Sequence, residues 1–274
     1  MADARKVFDN LSCRSHASYN SMIIGYIKCG ELQKAVDFYQ TLEDACFSVH
    51  LNEYAFVAIL KACTKLKDAE RGGRVHVQIA RRGFLESNVI LGTALVDMYC
   101  NCGMLKKARE VFEYLPERNV VSWSALIAGY VQQRLGDEAL NCFRRMQEDA
   151  GVCPDAVTYL CVLKACGITG SLEIGEDINR EVRKQGLFPK NANLGTALVD
   201  MYAKCNMLEK AQEVFDEIPI RDVATWSALI SAYTEHGFNE TAIKCFRQMR
   251  DRGLFPNTIT FTCVLKACRS IQFL

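Results

Sequence analysis

The string Gly-Thr-Ala-Leu-Val-Asp-Met-Tyr occurs twice in this chain, at Gly92–Tyr99 and, 103 residues later, at Gly195–Tyr202. The same offset carries Trp123-Ser-Ala-Leu-Ile onto Trp226-Ser-Ala-Leu-Ile, and Leu60-Lys-Ala-Cys onto Leu163-Lys-Ala-Cys. Cys161-Val-Leu-Lys-Ala-Cys returns at Cys263–Cys268, one residue short of that offset. A chain that echoes itself at fixed spacing is built from copied supersecondary units, each burying its apolar face on its neighbours. A period near 103 is too long for one helical hairpin, so the block must be composite.

Apolar residues recur at helical spacing, as in Met22, Ile23, Tyr26 and then Ala35, Phe38, which predicts two short amphipathic helices per repeat. Opening the repeats at His16, Glu53, Val89, Val120, Ala156, Ala192, Val223 and Thr258 gives lengths of 37, 36, 31, 36, 36, 31 and 35 residues. Position twenty then reads Ala35, Gly72, Ala108, Ala139, Gly175, Ala211 and Ala242, all small, as expected where two helices of a hairpin approach closely. Position eleven reads Tyr26, Cys63, Tyr99, Tyr130, Cys166, Tyr202, Tyr233 and Cys268, so three kinds of repeat rotate in order. Gly30, Gly103 and Gly237 mark bends inside repeats, and Pro116, Pro154, Pro189 and Pro256 fall near their ends. No strand-like alternation competes, and the predicted fold is an all-α solenoid of helix-turn-helix repeats.

Such an array has no single globular core, so residues 1–274 are read as one domain. No run of about 18 apolar residues is present to span a bilayer. Of the 14 cysteines, Cys63, Cys142, Cys166, Cys245 and Cys268 sit inside helical apolar patterns, where a thiol serves as a small hydrophobe; free thiols and a reducing compartment are expected. The tightest cysteine pair, Cys100 and Cys102, has no partner pair or histidine at ligand spacing, so no metal or other cofactor is expected. A formal charge of +1 is not that of a nonspecific nucleic-acid binder, so any such binding must come from local placement of charge. Residues 2–15 match the second half of a 31-residue repeat and the last repeat stops at its seventeenth residue, which reads as an array cut mid-repeat at both ends. No Arg- and Ser-rich presequence precedes Ala4.

Repeats of these lengths in rotation, with Val121-Ser-Trp-Ser-Ala-Leu-Ile-Ala-Gly-Tyr130, Leu163-Lys-Ala-Cys166 and Ala197-Leu-Val-Asp-Met-Tyr-Ala-Lys-Cys205, resemble pentatricopeptide repeat (PPR) proteins, and more narrowly their PLS subclass. The resemblance implies a right-handed superhelix. It divides the chain into a partial S repeat (1–15), P (16–52), L (53–88), S (89–119), P (120–155), L (156–191), S (192–222), P (223–257) and a partial L repeat (258–274).

It also implies recognition of single-stranded RNA, one base per repeat. The fifth and last residues of a repeat would face the base: Asn20 with Asn52, Thr93 with Asn119, Ser124 with Asp155, Thr196 with Asp222, and Ser227 with Asn257. A carboxylate only accepts, which suits the ring N–H of guanine or uracil, whereas an amide can donate to the bare ring nitrogen of adenine or cytosine. With the family rule that Thr or Ser at position five favours purines and Asn pyrimidines, the implied site is pyrimidine (C favoured), any, A, G, any, G, A. The "any" positions belong to the L repeats, whose fifth residues Val57 and Leu160 cannot read a hydrogen-bonding edge, leaving the roles of Asn88 and Asn191 open. Base-stacking falls to the second residues: Ala17, Tyr54, Ile90, Val121, Val157, Asn193, Ala224 and Ile259. The competing explanation for the last residues is helix capping, in which Ser, Thr, Asn and Asp are common. Lys28, Lys65 and Lys204 share position thirteen, within reach of phosphate or on a solvated face.

Five readable repeats at about 1 kcal/mol each give roughly a few thousandfold discrimination, and the site would recur about once in 500 nucleotides, so the stretch is expected to belong to a longer array. The family often carries a cytidine deaminase domain, whose His-x-Glu and Pro-Cys-x-x-Cys elements are absent here: Cys153-Pro154 continues Asp-Ala, and none of His16, His50, His76 or His236 begins His-x-Glu. The chain is therefore read as a non-enzyme. It would direct C-to-U editing or other RNA processing in a mitochondrion or chloroplast, with RNA and an editing deaminase or other processing protein as partners, and with no membrane or small-molecule substrate. The rival reading is a helical scaffold that binds a protein without reading RNA.

Overall fold

The computed structural model describes residues 1–44, 51–149 and 151–272. The segment 45–50, late in the first full repeat, residue 150 and the chain's last two residues lie outside that description. Among the described residues there are sixteen α-helices, one 3₁₀ turn and no strand. Among the described residues, no helix is long and apolar enough to cross a membrane.

The chain forms two compact units, Met1–Gln133 and Arg134–Leu274. The first holds α1 (Ala2–Asp9), the hairpins α2 (His16–Lys28) with α3 (Leu32–Asp44), α4 (Glu53–Leu66) with α5 (Ala69–Arg81), and α6 (Val89–Asn101) with α7 (Leu105–Glu113), and then α8 (Val120–Gln132). The second begins with α9 (Gly136–Glu148). It continues with the hairpins α10 (Ala156–Thr169) with α11 (Leu172–Lys184), α12 (Ala192–Lys204) with α13 (Leu208–Glu217), and α14 (Val223–Glu235) with α15 (Asn239–Asp251), and ends with α16 (Thr258–Gln272). Within each unit the first helices of successive hairpins pack side by side: α2, α4, α6 and α8 in one, α10, α12, α14 and α16 in the other. Each unit is a stack of helical hairpins, and each first helix begins at the residue that opens its repeat in the sequence register.

The bend of every hairpin is the same left-handed residue at position fifteen. Gly30, Gly103, Gly170 and Gly237 adopt φ of 73–79° there, and Lys67 and Asn206 hold φ of 55° and 60° despite carrying a Cβ. The N–H one residue later bonds back to the carbonyl of position eleven, as in Met104 to Tyr99 (2.8 Å) and Phe238 to Tyr233 (2.8 Å), so the orphan carbonyls of the first helix are satisfied.

Position twenty is buried in all seven repeats. The two glycines there answer to a different contact from the expected helix pair of one hairpin. A Cβ on Gly72 would meet Met98 Sδ at 2.5 Å, and one on Gly175 would meet Met201 Sδ at 2.5 Å, both from the first helix of the next repeat.

The 31-residue repeats close with an arginine clamp. In the first unit Arg118 Nε donates to Phe112 O (3.4 Å) and its Nη2 to Glu113 O (3.1 Å). In the second, Arg221 does the same to Phe215 O (2.8 Å) and Asp216 O (2.6 Å). Each guanidinium lies over the phenylalanine ring, 5.3 and 4.8 Å from the centroid. Each phenylalanine in turn meets the buried Trp123 or Trp226 edge-on, at 4.6 and 4.8 Å. Arg14, Phe8 and Tyr19 repeat the arrangement near the start of the chain. This clamp fixes the residue after it, which is the last of the repeat.

Cys63, Cys166 and Cys245 are buried, and burial pushes their thiols up to about 12, about 12 and about 11, keeping them protonated and inert. Cys268, expected in an apolar pattern, is exposed: it lies in α16, the last helix of the chain.

Candidate nucleic-acid interface

Every repeat ends on the cap of the next repeat's first helix. The Oδ1 atoms accept backbone N–H bonds from the third helical residue: Asn52 from Ala55 (2.9 Å), Asn119 from Ser122 (2.9 Å), Asp155 from Thr158 (2.8 Å), Asp222 from Thr225 (2.8 Å) and Asn257 from Thr260 (2.9 Å). Asn88 and Asn191, which end the repeats with an aliphatic fifth residue, cap Leu91 and Leu194 in the same way. Capping is thus realised at every last position, and it has a chemical consequence. A backbone N–H can only donate, so the atom it meets must be oxygen, which leaves no freedom to flip the amide. What remains to face outward is the Nδ2 donor of each asparagine and the Oδ2 acceptor of each aspartate. Asn52, Asn119, Asp155, Asp222 and Asn257 are all exposed.

The fifth residues lie lower. Asn20 (7% exposed), Ser124 and Ser227 (4%) are buried, and Thr93 and Thr196 are half-buried. The structure joins fifth to last residues through hydrogen bonds. Asn20 Oδ1 accepts the backbone N–H of Asn52 (3.2 Å). Thr196 Oγ1 lies 2.9 Å from Thr225 Oγ1, which donates to Asp222 Oδ1 (2.9 Å). Ser227 Oγ lies 2.6 Å from Thr260 Oγ1, which donates to Asn257 Oδ1 (2.9 Å). Thr93 is different: its hydroxyl is buried and has no hydrogen-bond partner among the described residues. Ser122, in the following repeat, is turned instead into a capping box with the backbone of Asn119. Of the remaining pair, Ser124 belongs to the first unit and Asp155 to the second.

Position two is exposed in all eight repeats. The apolar ones stand well out of the surface, with Tyr54 at 79% and Ile90 at 70%, followed by Ile259, Val121 and Val157. Each sits two residues after a capping side chain, on the first turn of its helix, so an apolar group and a polar one recur together at every first-helix N-terminus. Ala17 and Ala224 offer less area, and Asn193 offers none that is apolar. Val57 and Leu160 are half-buried and contribute no polar atom. Of the position-thirteen lysines, Lys28 and Lys65 are exposed, whereas Lys204 is held by Asp200 Oδ2 at 2.6 Å. Among the described residues no group of His, Cys, Asp or Glu is placed to hold a metal ion.

Sequence reading missed the third residues, Ser122, Thr158, Thr225 and Thr260, which are fully buried. Their signal was present as a hydroxyl three residues after Asn119, Asp155, Asp222 and Asn257.

Comparison with known proteins gives a consistent picture. The profile described as the PPR repeat family matches residues 118–167 and 221–270, and that of the PPR repeat matches 17–47, 93–120 and 196–223. Among curated proteins of Arabidopsis thaliana, pentatricopeptide repeat-containing protein At2g33680 is 36% identical over 97% of this chain and 36% of its own length. The putative pentatricopeptide repeat-containing protein At3g13770, mitochondrial, is 35% identical over 98% of this chain and 42% of its own. The chain therefore spans about two-fifths of these relatives. Among solved structures, PPR10 in complex with an 18-nt psaJ RNA element aligns over 96% of this chain and 40% of its own, with a TM-score of 0.77 at 19% identity. PPR10 from maize alone aligns with a TM-score of 0.59 at 17% identity, over 97% of this chain and 43% of its own.

Proposed function

Because the chain belongs to the PPR repeat family, we propose that it binds single-stranded RNA through the N-terminal ends of its first helices, one base per repeat, and thereby directs RNA processing in an organelle, C-to-U editing included. The repeats divide as P, L and S in rotation. Last residues read the Watson–Crick edge, fifth residues support them from below, and the exposed second residues stack on the base faces. RNA bound by PPR10 and the mitochondrial names of several relatives support the partner and the compartment. The chain contributes addressing rather than catalysis, with the chemistry supplied by a deaminase or another processing protein.

One observation carries this reading. The capping bond orients each last side chain so that the group left outward is the Nδ2 donor of Asn or the Oδ2 acceptor of Asp, beside an apolar surface that a stacked base would cover. Nucleobases need both features, a polar edge and a flat apolar face, and a protein helix docking across the same surface has no use for alternating donors and acceptors at this spacing.

Fluorescence anisotropy of the full chain with single-stranded RNA carrying 5′-CUAGUGA-3′, against the permuted 5′-GAUGUCA-3′, tests it. Tighter binding to the first sequence is expected. Equal binding or none favours the protein-binding scaffold.

A further inference from the structure

We infer that position three of the following repeat determines which hydrogen-bonding face the preceding reading pair offers at Thr196 with Asp222 and at Ser227 with Asn257, making Thr225 and Thr260 specificity-determining positioning residues; this rests on the one-base-per-repeat reading above. The sequence carries the first half of the argument. Where the fifth residue is a hydroxyl (Thr93, Ser124, Thr196, Ser227), position three of the next repeat is also a hydroxyl (Ser122, Thr158, Thr225, Thr260). Where the fifth is the amide Asn20 it is Ala55, and where the fifth is aliphatic (Val57, Leu160) it is Leu91 and Leu194. Capping alone does not account for this. A hydroxyl three residues into the helix would serve the caps Asn52, Asn88 and Asn191 just as well, and none is there.

The second half is a count of protons. Thr225 Oγ1 lies 2.9 Å from both Asp222 Oδ1 and Thr196 Oγ1, and it has one proton. The carboxylate has only lone pairs, so that proton goes to Asp222, and Thr196 must donate its own to Thr225. Asp222 Oδ1 is then filled by the N–H and O–H of Thr225, and only Oδ2 faces outward. The pair Thr196 and Asp222 consequently offers acceptors alone, which suits the N1–H and amino donors of guanine and gives adenine N1 nothing to accept from. At the next pair, Thr260 fills Asn257 Oδ1 in the same manner, and the one proton of Ser227 Oγ is spent within the protein, on Val223 O (2.6 Å), Thr260 Oγ1 (2.6 Å) or Asn257 Oδ1 (3.4 Å). There the outward face is the Nδ2 donor beside the lone pairs of Ser227, the complement of adenine.

Removing the Thr225 hydroxyl frees the proton of Thr196 and one lone pair of Asp222 Oδ1, so the pair ceases to be acceptor-only. The experiment measures affinities of the full chain for 5′-CUAGUGA-3′ and for variants differing only at the sixth or seventh nucleotide. Because preference is a ratio taken on the same sample, any loss of folded fraction cancels. Thr225→Val is expected to reduce the G-over-A preference at the sixth nucleotide about fivefold, the worth of one ordinary hydrogen bond, and to leave the seventh unchanged. Thr225→Ser restores it, and Thr260→Val reduces the A-over-G preference at the seventh nucleotide alone. If the wild type discriminates and neither valine variant alters its own ratio, the inference falls while the reading beneath it stands. If the wild type shows no preference at either nucleotide, both fall.

Discussion

Replacing Asp222 with Asn exchanges one outward-facing atom, because the cap on α14 dictates where the other must stay. Thr225 N–H requires an oxygen at Oδ1, so the new Nδ2 takes the place of Oδ2 and an acceptor becomes a donor. Asn and Asp are equivalent caps, and the helix loses only the interaction of a carboxylate with its N-terminus, about 0.3–1 kcal/mol at an exposed site. The binding effect is larger and has opposite signs for two bases. Guanine at the sixth nucleotide loses a hydrogen bond to a charged acceptor, about 1.5–3 kcal/mol, and meets a donor instead, whereas adenine gains an ordinary bond of about 1 kcal/mol. The G-over-A ratio should therefore move by at least about 2 kcal/mol, roughly thirtyfold, and invert if the wild-type preference is smaller than that. The assay is anisotropy at fixed salt, since phosphate contacts respond to salt but cancel between two RNAs that differ in one base. An unchanged ratio in a variant that melts like the wild type would refute the claim that this atom reads the base.

Tyr54→Ala removes a ring that is 79% exposed, so stability should be unaltered while RNA affinity drops by about 1–3 kcal/mol whatever base is present, as anisotropy with two RNAs would show. Arg221→Ala takes away two hydrogen bonds to carbonyls and the stack on Phe215, for a loss of about 2–3 kcal/mol in urea unfolding; Lys, lacking the planar fork, should not rescue it. Burial, with Lys107 nearby, holds the His76 imidazole below its ordinary 6.5. The unfolded chain then takes up a proton before the folded one does, so stability should fall as pH drops below 6.5. His76→Gln, which keeps a partner for Tyr99 OH, should lose less over that interval, as unfolding free energies measured from pH 7 to 5 would reveal.

The periodicity of the sequence located every first helix because repeats must present the same apolar stripe to the same neighbour, and that constraint is written in positions such as Trp123 and Trp226. What periodicity conveys is which residues share a face, and this sufficed to group the last, fifth and second residues. It does not convey depth or proton ownership. That Ser227 lies beneath Asn257, and that Thr225 mediates between Thr196 and Asp222, depend on bonds between residues about thirty apart whose partners are individually unremarkable. Gly72 and Gly175 were readable as close approaches, but the residue filling the space, Met98 or Met201, belongs to a helix whose packing only coordinates reveal. The arginine clamp escaped for a similar reason: Arg118 and Arg221 reach backbone carbonyls, which carry no residue identity.

The central claim, that successive repeats read successive bases, is tested most directly by selection of the full chain on single-stranded RNA with a fully randomised window. The account predicts one enriched register with A, G, G and A at its third, fourth, sixth and seventh nucleotides, a pyrimidine at the first, and no preference at the second and fifth, where Val57 and Leu160 stand at position five. Strong enrichment without that spacing, or none above the starting pool, would contradict it.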